Sequence, residues 1–209
     1  ICDPNEAWIM EMQGAGVGGV VWVALRIPDD AICAHANQSR ITTFNQKDKE
    51  NVMFSKNCIK YARQMGWFNG KDADFSWNAA YAAPTFSGRR FCDARVWAFY
   101  RFFVDGMDKY LPWALGFDEN AEPLPLWVVP NKKLSVRDLI MANRDHYEGT
   151  PLEVKSTIGG GIWEMPYQPT PLSYEVDGKE YFTERPISTQ QTAMTYVTQM
   201  RSWLPREIG

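Results

Sequence analysis

The sequence predicts an α+β fold, with strands toward both ends of the chain and helices between them. Three observations predict it. EAWIMEMQ at 6–13 alternates apolar and polar side chains, the mark of a half-buried strand. Between residues 55 and 149 lie helix signals: capping serines, an i, i+3 apolar face and glycine stops. Toward the C-terminus an Asp177-Gly178 pair sits between two strand-like runs. Segregation of this kind favours sheets with helices on their outer faces over alternating βαβ units.

The elements follow in order. GAGVGG at 14–19 lacks the Lys-Ser or Lys-Thr of a phosphate-binding loop, and the β-branched VVWVALRI follows it at 20–27. It therefore reads as a hairpin loop and not as the opening of a dinucleotide-binding helix. Pro28-Asp29-Asp30 is a turn, and AICAHANQ at 31–38 reads as a third strand. A helix is predicted over 56–65, capped by Ser55, with Ile59, Ala62 and Met65 on one face and Gly66 as its stop. A second is predicted over 90–104. AEPLPLWVVP at 121–130 is extended, and Ser135 caps a third helix over 136–147 that stops at Gly149. Leu172 to Val176 and Glu180 to Thr183 form a type I′ hairpin, and 188–205 reads as further strand. No repeat or linker interrupts the chain, so residues 1–209 are expected to form a single domain.

Composition narrows the function classes. In 209 residues, 45% are hydrophobic and 22% charged, which excludes a disordered chain, a collagen or a disulfide-rich miniprotein. A net charge of −3 with scattered basic residues argues against a nucleic-acid partner. No apolar run approaches the ~20 residues of a membrane span. Four cysteines without a CxxC pair, beside two histidines, predict no metal site and no cofactor. The 9 Trp, 9 Tyr and 11 Phe fit either an aromatic core or a groove lined with rings. No secretory leader is visible and the chain opens on Ile1 without an initiator Met, so a cytoplasmic and an exported protein are equally open.

Few residues carry obvious chemistry. There is no GxSxG elbow and no HExxH. His35 reads as a buried, hydrogen-bonded histidine, with a catalytic base as the alternative; His146 reads as a cation complementing a helix C-terminus. Cys2 is close to the N-terminus, but Ile1 blocks the free amine that an N-terminal cysteine nucleophile uses as base. HANQSRI at 35–41 packs amides and a cation at a strand end, where Asn37 could donate to an oxyanion or serve a turn. In RRFCDARVWAF, Arg95 lies four residues from both Phe91 and Phe99, on the apolar face, and should meet a carboxylate or serve a site. Arg89 and Arg90 are expected in solvent.

DPNEAWIMEM (3–12), WVALRIPDDAICAHANQSRI (22–41), DFSW (74–77), FCDARVW (91–97), LPLWVVPNKKLSVRDLIMANRDHYEGTPLE (124–153), VDGKEYFTERPISTQQT (176–192) and QMRSWLP (199–205) occur in the order of one family. The chain resembles the peptidase family C69 dipeptidases, cysteine-type N-terminal-nucleophile hydrolases. HANQSRI, RDHYEGT and TQQT together are specific to it. The resemblance implies an αββα sandwich, two stacked antiparallel sheets with helices outside, incomplete in this chain. It also implies a nucleophilic Cys upstream of DPNEAW and a family C-terminal part beyond MRSWLP. The chain is thus expected to be an internal piece, inactive alone.

The implied mechanism has the Cys thiolate form an acyl-enzyme, with the free α-amino group as base at its ordinary pKa of about 7.7–8.0. Asn37 resembles the asparagine that related amidases place near the thiol to donate to the oxyanion. Arg95 resembles the arginine they keep beside it. Arg40, Gln190 and Gln191 are candidate contacts to the charged ends of a short peptide substrate. An amidase acting on non-peptide acyl amides, such as bile salts or penicillin V, stays open, as does a non-catalytic binding protein with an aromatic groove. Self-association into a homo-oligomer also stays open. Trp8, Trp22, Trp97, Trp127 and Trp203 fall in the family-like segments and are expected in the core.

Overall fold

A computed structural model describes residues 1–17, 19–169, 173–205 and 207. The chain packs as two compact units, Ile1–Thr85 with Pro125–Val129 and Met200–Gly209, and Phe86–Leu124 with Pro130–Gln199.

The first unit is built on an antiparallel sheet. β1 (Ala7–Gly14) and β2 (Val20–Ile27) pair along their whole length, from Ala7 opposite Ile27 to Gly14 opposite Val20. The loop between them closes with the Ala15 amide on the Gly19 carbonyl at 2.9 Å, as a hairpin loop should. β3 (Ile32–Cys33) follows the Pro28 turn, where the Ala31 amide meets the Pro28 carbonyl. β4 (Val52–Phe54) adds to the far side of β2, giving the order β1-β2-β4. α1 (Cys58–Gln64) lays Cys58, Ile59 and Ala62 against the sheet face formed by Ile9, Val21, Val23 and Leu25. Phe75 and Trp77 complete this core, Trp77 opening the short α2 (Trp77–Tyr81). Burying each such large side chain contributes about 1.5–3 kcal/mol.

The second unit is mainly helical. Its first helix starts as a wide π-helical turn over Gly88–Asp93 and continues as α3 (Ala94–Arg101). After it comes α4 (Leu111–Leu115). β5 (Trp127–Val128) belongs to the first unit and pairs with β3. α5 (Val136–Ala142) starts at a capping box in which the Ser135 hydroxyl accepts from the Asp138 amide and the Asp138 carboxylate accepts from the Ser135 amide. β6 (Ser173–Val176) and β7 (Lys179–Phe182) form a hairpin with Asp177 at φ 52° and Gly178 at φ 73°, the two left-handed residues that a type I′ turn requires. Leu172, the expected first residue of that hairpin, lies outside the described residues.

Several sequence expectations are corrected. The strand expected over 31–38 is only Ile32–Cys33. It pairs only with the two-residue stretch Trp127–Val128, and farther on the chain turns at Asn37, which lies in the left-handed region at φ 67°. Ser55 does not cap α1; its hydroxyl accepts from the Trp22 amide at 3.0 Å, and Asn57 stands at the helix start. Met65, expected on the buried face of that helix, is exposed. The third helix ends at Ala142 and not at 147. Residues 188–205 form no strand, since β-prone side chains order as sheet only against a partner edge. Trp203 is 69% exposed, whereas Trp77 and Trp97 are the fully buried indoles.

Candidate functional site

The first unit holds a cleft of about 310 Å³ bordered by Met10 and Met12 of β1, by His35, Asn37 and Ser39, and by Trp77 and Tyr81. Its geometry depends on one residue that the sequence reading passed over. Glu11 is buried in β1, in phase with the buried Ile9 two residues earlier. One of its carboxylate oxygens accepts from the Arg40 amide at 2.6 Å and the Ile41 amide at 3.1 Å; the other accepts from the Ser39 hydroxyl. His35 Nε2 stands 3.6 Å from the same carboxylate. Burial works to raise the Glu11 pKa, but the facing His35 ring and the hydrogen bonds from the Arg40 amide, Ser39 and the Ile41 amide outweigh it and hold the group below its ordinary range. The carboxylate thus pins the HANQSRI turn to the sheet. The available signal was a charged residue on the apolar phase of an alternating strand.

Ser39, His35 and Glu11 do not form a catalytic triad. In a triad the serine bonds to the histidine and the acid orients that histidine. Here Ser39 and His35 both address the carboxylate, and Glu11 is a weak base. His35 is also exposed, contrary to the buried histidine expected.

The candidate residues separate as follows. Asn37 is exposed on the cleft rim, in a left-handed conformation that asparagine tolerates better than most residues. Arg40 is buried, and its guanidinium donates to the carbonyls of Ala34 at 2.9 Å and Pro125 at 2.5 Å. Arg95 lies in the second unit, where its Nε donates to the Phe91 carbonyl at 2.7 Å. Gln190 and Gln191, also in the second unit, occupy an exposed turn in which the Thr189 hydroxyl accepts from the Gln191 amide.

The second unit buries more charge than expected. Arg89 and Arg90 are inside, not in solvent. Arg90 pairs with Glu184 at 2.6 Å, and Arg89 donates to the Asp118 carbonyl and lies over the Trp113 ring. Burial nonetheless pushes the Glu184 carboxyl above its ordinary value, with Arg90 opposing it. Tyr147, fully buried, donates to the Arg185 carbonyl at 2.8 Å, and burial raises its phenol far above the ordinary value. His146 does not end a helix; its Nδ1 lies 3.0 Å from Glu148. Among the described residues no three His, Cys, Asp or Glu side chains gather as metal ligands, and no helix is long and apolar enough to cross a membrane.

The sequence model described as Peptidase family C69 matches residues 1–209, and the chain belongs to that family. A probable dipeptidase of Salmonella dublin is 26% identical over 207 residues, covering 99% of this chain and 41% of that protein. A probable dipeptidase of Latilactobacillus sakei is 27% identical over 203 residues, covering 97% of this chain and 36% of that protein. Dipeptidase A of Lactobacillus helveticus is 24% identical over 207 residues, covering 99% and 37% respectively. The chain thus spans about two fifths of the length of the curated relatives it matches.

Proposed function

We propose that this chain is part of a cysteine-type dipeptidase domain, with its nucleophilic Cys on a segment preceding Ile1, and that it is inactive without that segment. The domain is a single αββα sandwich of which this chain supplies the central portion. The observation that carries the reading is Asn37: an exposed amide on the rim of a cleft, held at φ 67° by a turn that Glu11 pins to the sheet. An amide fixed there is prepared to donate to the oxyanion as the thiolate attacks a peptide carbonyl. The family resemblance gives Arg95, in the second unit, the part of favouring an ionised thiol, and gives Gln190 and Gln191 the part of contacts to the polar ends of a dipeptide. Arg40, committed to main-chain carbonyls, holds the Asn37 turn and does not meet substrate.

The test is hydrolysis by the full-length parent protein. Dipeptides are cleaved, alkylation of the thiol abolishes cleavage, and chelators leave it unchanged. Activity that survives alkylation or is lost to chelators overturns the reading. A substrate panel separates the superfamily alternative, since an amidase for non-peptide acyl amides leaves dipeptides intact.

A further inference from the structure

β1 is the outer strand of its sheet. In an antiparallel ladder the N–H and C=O of one residue point to the same side, and consecutive residues alternate sides. Trp8 directs both groups away from β2: its N–H donates to the Ile1 carbonyl at 2.7 Å, and its carbonyl accepts from the Ile1 amine at 2.9 Å. Cys2 stands opposite Ala7 in an antiparallel bridge. Alternation therefore turns the main-chain groups of Met10 and Met12 to that same outer edge, and both residues border the cleft that holds Asn37. The main chain at Cys2 and Ile1 already runs as a short strand along β1, on the line that leads past Met10 and Met12. An outer strand edge, in register with a pairing already begun at Ile1 and Cys2, is a template for its continuation.

We propose that this edge is taken by the stretch of the parent protein that leads into Ile1, running antiparallel to β1 in the register set by Ile1 and Trp8. The proposal rests on the reading above, in which the catalytic cysteine lies on a segment preceding Ile1. In this register the second residue before Ile1 faces Met10 and the fourth faces Met12. Both are hydrogen-bonded pairs like Ile1 and Trp8, with Cα atoms about 5.5 Å apart. The added strand forms a wall of the Asn37 cleft and couples the segment bearing the nucleophile to the sheet that positions the oxyanion donor.

The experiment uses the full-length parent protein. Amide hydrogen exchange is expected to find Met10 and Met12 as slow as Val23 in the sheet interior. A Met12→Cys variant carrying a second cysteine at the fourth position before Ile1 is expected to form a disulfide under mild oxidation, and Met12→Cys with the second cysteine moved by one residue is not, since that step turns its side chain to the opposite face. Fast exchange at both methionines in the folded protein, or cross-linking only in another register, overturns the proposal. So does fast exchange that becomes slow only when a non-hydrolysable dipeptide is added, which would make the edge a substrate site. Slow exchange and the predicted cross-link in a protein that hydrolyses no dipeptide would leave the strand standing and remove the dipeptidase reading. An active, alkylation-sensitive enzyme with fast exchange would do the reverse.

Discussion

Replacing Glu11 by glutamine tests whether one buried carboxylate holds the Asn37 turn in place. The carboxylate accepts from two backbone amides, at 2.6 and 3.1 Å, and from the Ser39 hydroxyl, with His35 alongside. Hydrogen bonds to a charged group contribute about 1.5–3 kcal/mol each. Glutamine keeps one carbonyl oxygen for the two amides but turns an NH₂ toward the Ser39 hydroxyl, so one charge-assisted bond is lost and two are weakened. The expected cost is about 2–4 kcal/mol at neutral pH; Glu11→Ala, which leaves two backbone N–H groups without their acceptor, should cost about 4–6 kcal/mol. The pH dependence has a definite sign. Because the folded state holds Glu11 below its ordinary value of 4.5, its contribution is fully present above that value and is lost as pH falls through the depressed one. Urea denaturation of the full-length protein, followed between about pH 3 and pH 7, should show an acid limb in the wild type that is shallower in Glu11→Gln. Equal stability at neutral pH together with an unchanged acid limb would refute the clamp.

Two further substitutions separate structure from chemistry. Asn37→Gly keeps the left-handed backbone and should leave stability nearly intact, while Asn37→Ala should cost about 1–2 kcal/mol for that conformation. Both should lower kcat of the full-length enzyme by about 10²–10³, and a glycine variant with normal kcat would remove Asn37 from the oxyanion. In the second unit, Glu184→Ala strands the Arg90 guanidinium inside and should destabilise by about 3–5 kcal/mol in thermal denaturation. The double variant Arg90→Met, Glu184→Leu should recover most of that loss, and failure to recover would mean that the pair does more than balance charge.

Local chemistry made parts of the fold legible. The 6–13 alternation, the Ser135 cap and the Asp177-Gly178 turn each depend on contacts within a few residues, and each appears where the sequence put it. What long-range contacts decide was not legible. Ser55 looks like a cap until Trp22, 33 positions away, takes its hydroxyl. Arg89 and Arg90 look solvated on an α-helical wheel, but the π-helical turn over Gly88–Asp93 changes the phase of the faces. Asn37 was visible as a polar residue in a strand-end motif. Its support was not, because Glu11 lies 28 residues or more from the Ser39, Arg40 and Ile41 groups it binds.

The aromatic richness has a practical use once the two buried indoles are placed. Trp77 sits in the core of the first unit and Trp97 in that of the second, each only 1% exposed, and the Trp97 Nε1–H donates to the Met107 carbonyl at 2.8 Å. Each unit thus carries its own spectroscopic reporter. With fluorotryptophan incorporated, the two resonances can be assigned by single Trp→Phe substitutions and followed separately through denaturation. Whether the units melt together or in sequence then becomes a direct reading from two lines of one spectrum.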